Sequence, residues 1–209
     1  MARYIGASCR LCRREGMKLF LKGKKCGSER CAFVKRQYAP GDHGQKRRGK
    51  LSNYAQQLRE KQKVKRIYGI LEKQFRTYFH KAAKTKGVTG KTLLQYLERR
   101  LDNVIFHLHF ATSRSEGRQF VRHNHVYVNN RKVNIPSYLV KADDIVEIKA
   151  KEKFRKKIQD NIEISKERGM PSWIEADTNN LKGKILKLPD REDIQLPISE
   201  QLIVELYSK

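Results

Sequence analysis

The stretch that decides the fold runs from Thr92 to Lys149 and reads TLLQYLERRLDNVIFHLHFATSRSEGRQFVRHNHVYVNNRKVNIPSYLVKADDIVEIK. Its first part predicts one amphipathic helix, because apolar residues recur at the three- and four-residue spacing of a single helical face. That face comprises Leu93, Leu94, Leu97, Leu101, Val104, Ile105 and Leu108. The other face carries the charges, Glu98, Arg99, Arg100 and Asp102. We expect this helix to pack through its apolar side.

A second, basic helix is predicted to follow the break at residues 111–112. Ser113 offers an N-cap oxygen and Glu116 stands three residues later, the spacing of a capping box. Phe120 is expected to face the core. The helix also carries an arginine stripe at four-residue spacing, formed by Arg114, Arg118 and Arg122. Such a stripe, taken alone, is equally typical of a solvated face. We expect the Arg118 side chain to be exposed in the free protein.

A short hairpin and a closing strand complete the stretch. Val126–Val128 and Arg131–Val133 flank the pair Asn129-Asn130, and Asn tolerates the left-handed backbone that a tight turn requires. Ile145–Ile148 has the composition of another strand. The stretch therefore predicts two helices followed by a small antiparallel sheet.

Several motifs within the stretch resemble the RNA-binding module of the small-subunit ribosomal protein S-four family. They are Leu97–Val104, Ser113-Arg114, Gly117-Arg118, Val121–His123, Val126–Asn129 and Ile135–Tyr138. Similar modules occur in pseudouridine synthases, tyrosyl-tRNA synthetases and a heat-shock protein, so the module alone implies RNA binding and little more. The flanks are similar to the ribosomal protein itself, and the resemblance covers essentially the whole chain. They comprise Gly41–Gln45, Leu58–Val64 and Glu200–Ser208.

This resemblance implies an α+β fold with three parts. Residues 1–44 would form a zinc-bound, basic N-terminal extension. Residues 45–90 would form a mainly helical domain, with the tail 194–209 docking back on it. Residues 91–193 would form an α+β domain that contains the RNA-binding module, 92–149. Two helices near 52–68 and 72–83, and a third near 154–168, are also predicted from apolar spacing and caps.

The resemblance also implies a structural role without catalysis. The protein would bind the 5′ domain of 16S rRNA in the cytoplasmic small ribosomal subunit and nucleate subunit assembly. It would contact ribosomal protein five and protein three of that subunit. It would lie near the path by which mRNA enters and be linked to translational accuracy. Whether this chain also represses its own mRNA stays open.

Charge independently favours a polyanionic partner. The 209-residue chain has a formal net charge of +25 and no membrane-length apolar run, so nucleic acid is a better partner than a bilayer. Residues 1–90 hold 25 Lys and Arg against five Asp and Glu, whereas residues 151–209 hold 12 against 11. This gradient predicts that the N-terminal half lies deepest among phosphates. The start has no apolar signal-peptide core, and a reducing compartment is expected.

Four cysteines near the N-terminus have the spacing of a metal site. Cys9 and Cys12 form one close pair, and Cys26 and Cys31 form a second after a 13-residue loop. Two such pairs match a tetrahedral four-thiolate zinc site, one Zn²⁺ per chain. Free thiols, a disulfide and an iron–sulfur cluster are the alternatives. The surrounding segment is too polar to form its own core, so the metal is expected to fold this extension alone.

The candidate RNA-binding residues are cations and one turn residue. In the module they are Arg114, Arg118, Arg122, Asn129, Arg131 and Lys132; in the segments before it they are Lys46, Arg47, Arg48, Lys50, Arg59, Lys61 and Lys63. Two other functions compete with the ribosomal one: an RNA-modifying enzyme carrying the same module, and a zinc-dependent regulator that reads a nucleic-acid sequence. No convincing catalytic constellation or small-molecule site stands out in the sequence.

Overall fold

The computed structural model describes residues 3–45, 50–166 and 168–208. The chain divides into two compact units, residues 1–93 with 196–209, and residues 94–195. A separate boundary near residue 45, inside the first unit, stays a prediction. None of the helices in the described ranges combines the length and the apolar character needed to cross a bilayer.

The first unit is helical over its described residues. Its helices are α1 (Ser8–Glu15), α2 (Lys24–Gly27), α3 (Ala32–Lys35), α4 (Asn53–Ile67), α5 (Glu72–Lys84), the first half of α6 (Thr89–Glu98) and α10 (Glu200–Tyr207). The Ser52 side chain caps α4 by accepting a hydrogen bond from the Ala55 N–H at 3.2 Å. Helix α10 packs on α4. Its Tyr207 ring stacks on Phe79 of α5 with ring centroids 4.5 Å apart, so the C-terminal tail closes this unit.

The second unit contains the rest of α6 and the elements α7 (Leu101–His107), α8 (Arg114–Arg122), β1 (Val126–Val128), β2 (Arg131–Lys132), β3 (Ile145–Ile148), α9 (Glu152–Ser165), β4 (Ile174–Asp177) and β5 (Lys182–Ile185). The strands form one antiparallel sheet in the order β2-β1-β3-β5-β4. The helical part and the small antiparallel sheet confirm those two parts of the predicted fold class, and the zinc-bound extension stays a proposal.

The hairpin turn has the predicted backbone. Val128 pairs with Arg131, and the two residues between them have positive φ, +48° at Asn129 and +63° at Asn130. Positive φ at both central positions gives a turn twist that matches the flanking strands. Asparagine tolerates that conformation better than most residues, which is why this element could be located from sequence.

The helix predicted from Leu93 to Leu108 is wrong as a single element. It breaks at Arg99 and Arg100, where the backbone pairs with the segment 138–140 in strand fashion: Val140 N–H donates to Arg99 O at 3.0 Å, and Leu101 N–H to Tyr138 O at 2.9 Å. The break turns the charged side chains inward, so Glu98, Arg100 and Asp102 are buried. The apolar spacing continues across the break, so the sequence pattern predicts one uninterrupted helix.

The core of the second unit lies between the sheet and helices α7, α8 and α9. It includes Leu101, Val104, Ile105, Leu108, Phe120, Val121, Val126, Val146, Ile158, Trp173 and Ile185. Helices α7 and α8 pack closely because Gly117 has no side chain: a Cβ there would lie 2.7 Å from Asp102 O. Phe120 is buried, as the helical pattern predicted.

Candidate nucleic-acid interface and thiol cluster

Helix α8 begins with a capping arrangement that fixes the arginine stripe. The Glu116 N–H donates to Ser113 Oγ at 3.3 Å. The Glu116 carboxylate accepts hydrogen bonds from Thr112 N and Oγ1 at 2.9 and 2.8 Å. Burial favours a higher pKa for Glu116, but the hydrogen bonds from Thr112 and Lys157 outweigh it and lower the pKa. The cap therefore holds a charged carboxylate at the helix start.

Arg118 is not exposed, contrary to the sequence-based expectation. Its side chain is 11% exposed and pairs with Asp102 through Nη1 and Oδ2, 3.3 Å apart. The same carboxylate accepts two hydrogen bonds from Arg100, at 3.0 and 2.7 Å, and Arg100 is 0% exposed. Arg118 thus holds α8 against α7. This structural role does not depend on a contact between its guanidinium and RNA.

The other two members of the stripe differ from each other. Arg114 Nε donates to Asn103 Oδ1 at 2.7 Å, and its guanidinium carbon lies 4.4 Å from the centre of the Phe106 ring. Arg122 is exposed at the end of α8. The three residues share a helix, as predicted, but Arg122 is the one whose side chain reaches into solvent.

The hairpin adds an exposed basic tip. Arg131 and Lys132 on β2 are both exposed. Asn129 instead uses its side chain internally: Nδ2 donates to Asp144 Oδ1 at 2.8 Å, and Oδ1 accepts from Ile145 N–H at 2.9 Å. These two hydrogen bonds give Asn129 a turn-holding role, and its assignment as an RNA contact stays a prediction.

Helix α4 holds its predicted RNA-binding cations in intramolecular pairs. Lys61 is 8% exposed, and its Nζ lies 2.9 Å from Glu72 Oε1. Arg59 pairs with Glu15 at 3.2 Å. Lys63 pairs with Glu60 and also donates to Pro197 O at 3.3 Å. We therefore remove Lys61 from the predicted RNA contacts, because its ammonium is buried and neutralised.

The basic segment before α4 is described only at its end. Lys50 is exposed. Lys46, Arg47 and Arg48 lie outside the described residues, so their assignment as RNA contacts stays a prediction.

Two ion pairs missed by the sequence analysis join α1 to α4. The Glu15 side chain is 0% exposed and pairs with Arg66 as well as with Arg59. Burial raises the pKa of Glu15, and the neighbouring cations oppose that rise. The sequence does not predict these ion pairs, because the partners of Glu15 lie 44 and 51 residues away along the chain.

The four cysteines surround one small cavity. Cys9 and Cys12 lie on α1, Cys26 lies on α2, and Cys31 precedes α3. All four line the cavity together with Ser8, Leu21, Lys22 and Phe33. They are free thiols, and all except Cys9 are buried. The fold therefore brings the two pairs together, as their spacing predicted.

The sulfurs are largely buried, and a backbone donor lies beside one of them. Lys22 N–H donates to Cys26 Sγ at 3.3 Å. Burial raises the pKa of Cys12 and Cys26, while backbone N–H groups of Leu19 and Lys22 oppose the rise. Across the described ranges, no three or more His, Cys, Asp or Glu side chains are arranged to hold a metal ion. Four thiols directed at one cavity nevertheless form a donor set that fits a thiophilic ion.

Sequence comparisons identify relatives along the full chain. Residues 3–98 match a family model described as the ribosomal protein S4/S9 N-terminal domain, and residues 99–146 match the S4 domain. Three similar proteins are each called small ribosomal subunit protein uS4. They come from Desulforapulum autotrophicum (61% identical), Syntrophus aciditrophicus (59%) and Thermodesulfovibrio yellowstonii (57%), and each alignment covers 100% of both chains.

Proposed function

Because the chain belongs to the ribosomal protein uS4 family, we propose that it is a structural, non-enzymatic component of the small ribosomal subunit that binds 16S rRNA. The observation that carries this proposal is the full-length similarity to proteins with that name, at 57–61% identity among the three cited relatives. The charge of +25 supports it, because a ribosomal protein must offset RNA phosphate. The place of action is the small subunit in the cytoplasm.

Within that role, the proposed target is the 5′ domain of 16S rRNA, bound early enough to nucleate assembly. Exposed cations at Arg122, Arg131, Lys132 and Lys50 are the proposed phosphate contacts. Where RNA helices converge, their phosphates repel one another, and a preformed basic surface offsets that repulsion. Arg118 and Arg114 hold α8 on α7 and thereby position the exposed Arg122.

We also propose that one Zn²⁺ binds Cys9, Cys12, Cys26 and Cys31. The common cavity and the N–H group directed at Cys26 support this assignment. Bound zinc would supply a tetrahedral crosslink between α1, α2 and the start of α3. The exposed basic residues around the cluster offset the negative charge of four thiolates. Elemental analysis distinguishes zinc from an iron–sulfur cluster.

The proposed neighbours of the protein are ribosomal proteins five and three and the mRNA near the place where it enters the subunit, with a link to translational accuracy. The alternative, an RNA-modifying enzyme or regulator carrying the S4 domain, requires a different N-terminal half. Here that half matches the ribosomal N-terminal domain over residues 3–98. The enzyme hypothesis is therefore not favoured.

A direct binding assay tests the proposed function. The purified, zinc-loaded chain is titrated against a transcript of the 16S rRNA 5′ domain and against a 3′-domain transcript of equal length. Tighter binding to the 5′-domain transcript at moderate salt supports the proposal. Equal affinity for the two transcripts would show that the chain binds RNA only through non-specific phosphate contacts.

A further inference from the structure

Phe20 has a backbone conformation that an aromatic residue rarely adopts. Its φ is +50°, in the left-handed region where the Cβ of an L-residue crowds the following carbonyl oxygen. Strain of this kind persists only where surrounding structure enforces it, and it concentrates at functional positions. Packing does not explain it here, because the Phe20 side chain is 53% exposed.

The residues on either side of Phe20 are fixed by burial and by the thiol cluster. On the C-terminal side of Phe20, the backbone N–H of Lys22 donates a hydrogen bond to Cys26 Sγ at 3.3 Å. Leu19 is buried, and Leu21 lines the cavity that contains the four thiols. With its neighbours turned inward, the loop can turn the Phe20 ring only outward.

The segment that carries the exposed ring is strongly basic. Residues 18–30 hold five Lys and Arg against one acidic residue, Glu29. Four of those cations are exposed, namely Lys22, Lys24, Lys25 and Arg30. An aromatic ring among exposed cations is the combination that proteins use to bind single-stranded nucleic acid, with bases stacked on the ring and phosphates held by the cations.

We propose that Phe20 is an RNA-binding residue that stacks on an unpaired base of the RNA, while Lys22, Lys24 and Lys25 hold the adjoining phosphates. This inference rests on the proposed function and adds to it a second contact surface, on the thiol-bearing loop. A protein partner is less suited to the site, because a basic rim desolvates poorly against a neutral surface, whereas RNA supplies both a flat apolar face and negative charge.

The test compares Phe20 variants with the wild-type chain in binding to the 16S rRNA 5′-domain transcript. Phe20→Leu keeps the apolar bulk but removes the ring, and it should weaken binding by roughly 5- to 100-fold, the usual range for one stacked base. Phe20→Tyr keeps the ring and should bind within about twofold of wild type, because a tyrosine ring stacks equally well.

Removing a ring leaves the charge unchanged, so the salt dependence of Phe20→Leu should equal that of wild type. Lys22→Ala should reduce the salt slope by about one unit.

Phe20→Gly separates binding from folding. Glycine adopts positive φ without strain, so this variant should melt no lower than the wild type and yet bind RNA as weakly as Phe20→Leu. Wild-type affinity in both Phe20→Leu and Phe20→Gly would overturn the role of Phe20 and leave the proposed function intact. If the wild-type chain itself shows no preference for the transcript, it is the proposed function that fails.

Discussion

Asp102 organises the arginines of the second unit, and its surroundings define what a single substitution should do. Its carboxylate accepts hydrogen bonds from buried Arg100 at 3.0 and 2.7 Å and from Arg118 at 3.3 Å. A buried carboxylate shared by two guanidiniums is stable only while its charge is compensated. Arg118 therefore contributes to the stability of the fold. Any contribution of Arg118 to RNA affinity comes in addition.

Arg118→Ala should lower the free energy of unfolding by about 1–3 kcal/mol, because a hydrogen-bonded charge pair that is largely shielded from solvent is broken. Urea denaturation of the free protein measures this effect. Arg122→Ala is the matched control on the same helix: its side chain is exposed, so stability should change by less than about 0.5 kcal/mol while RNA affinity falls. Equal stability of the two variants would contradict the bracing role of Arg118.

Glu72 provides a pH-dependent test at the residue scale. Burial alone would raise its pKa, but hydrogen bonds from Lys61, Tyr207 and Lys65 outweigh this and lower the pKa to about 2 from an ordinary value of 4.5. A carboxyl group whose pKa is lower in the folded state contributes stability above its unfolded pKa, and that contribution is lost as the pH falls towards 2.

Glu72→Gln should therefore be less stable than wild type at pH 7, and the difference should shrink as the pH is lowered from about 5 to about 2. Urea denaturation at several pH values measures it. Glu192→Gln, at an exposed position, is the control and should show little difference at any pH. A Glu72→Gln deficit that stays constant with pH would show that the ion pairs around Glu72 contribute no pH-dependent stability.

At the scale of elements, local backbone chemistry was predictable and long-range pairing was not. The Asn129-Asn130 turn and the Ser113 cap follow from residues within four positions of one another, and both were located from the sequence. The break at Arg99–Arg100 depends on backbone pairing with residues 138–140, about 40 residues further along the chain. Likewise, the sequence predicts a cation such as Lys61 at the surface, because its partner Glu72 is brought next to it only by the fold.

The thiol-bearing helix α1 couples the proposed zinc site to α4. It carries Cys9 near its start, Cys12 in its middle and Glu15 at its end, and Glu15 pairs with Arg59 and Arg66. This link changes the expectation that zinc folds only the N-terminal extension. Loss of α1 would also leave those two arginines unpaired beside each other.

Changing Cys9 and Cys12 together to Ser should abolish stoichiometric zinc and lower the midpoint of thermal unfolding by several degrees, because the metal no longer holds α1 in place. Metal analysis and circular dichroism measure the two effects. A chelator should produce the same shift in the wild type and no further shift in the variant.

If the wild type contains no zinc, or contains iron, the assignment of the metal is wrong. An unchanged midpoint of thermal unfolding would instead show that the metal stabilises only the N-terminal extension.

At the scale of the whole molecule, charge dominates the proposed interaction. Residues 1–90 hold 25 Lys and Arg against five acidic residues, and some of these cations, such as Lys61 and Arg59, are neutralised within the fold. The number of phosphates contacted is therefore expected to be smaller than the number of cations. If about eight are contacted, affinity should fall by roughly three to five decades between 50 and 200 mM salt.

Binding titrations across that salt range test the electrostatic account. The slope of the logarithm of the affinity against the logarithm of the salt concentration gives the number of phosphates contacted. Arg131→Ala and Lys132→Ala should each reduce the slope by about one unit without lowering stability, because both side chains are exposed. A nearly flat salt dependence would indicate that contacts other than phosphate pairing dominate.

We propose that this chain binds a defined part of the small-subunit rRNA. Chemical footprinting of the purified, zinc-loaded protein on full-length 16S rRNA tests it most directly, at a salt concentration that suppresses non-specific binding. We expect protection confined to the 5′ domain, clustered where several RNA helices meet. Protection scattered over all domains, or none at protein concentrations that saturate binding, would contradict it.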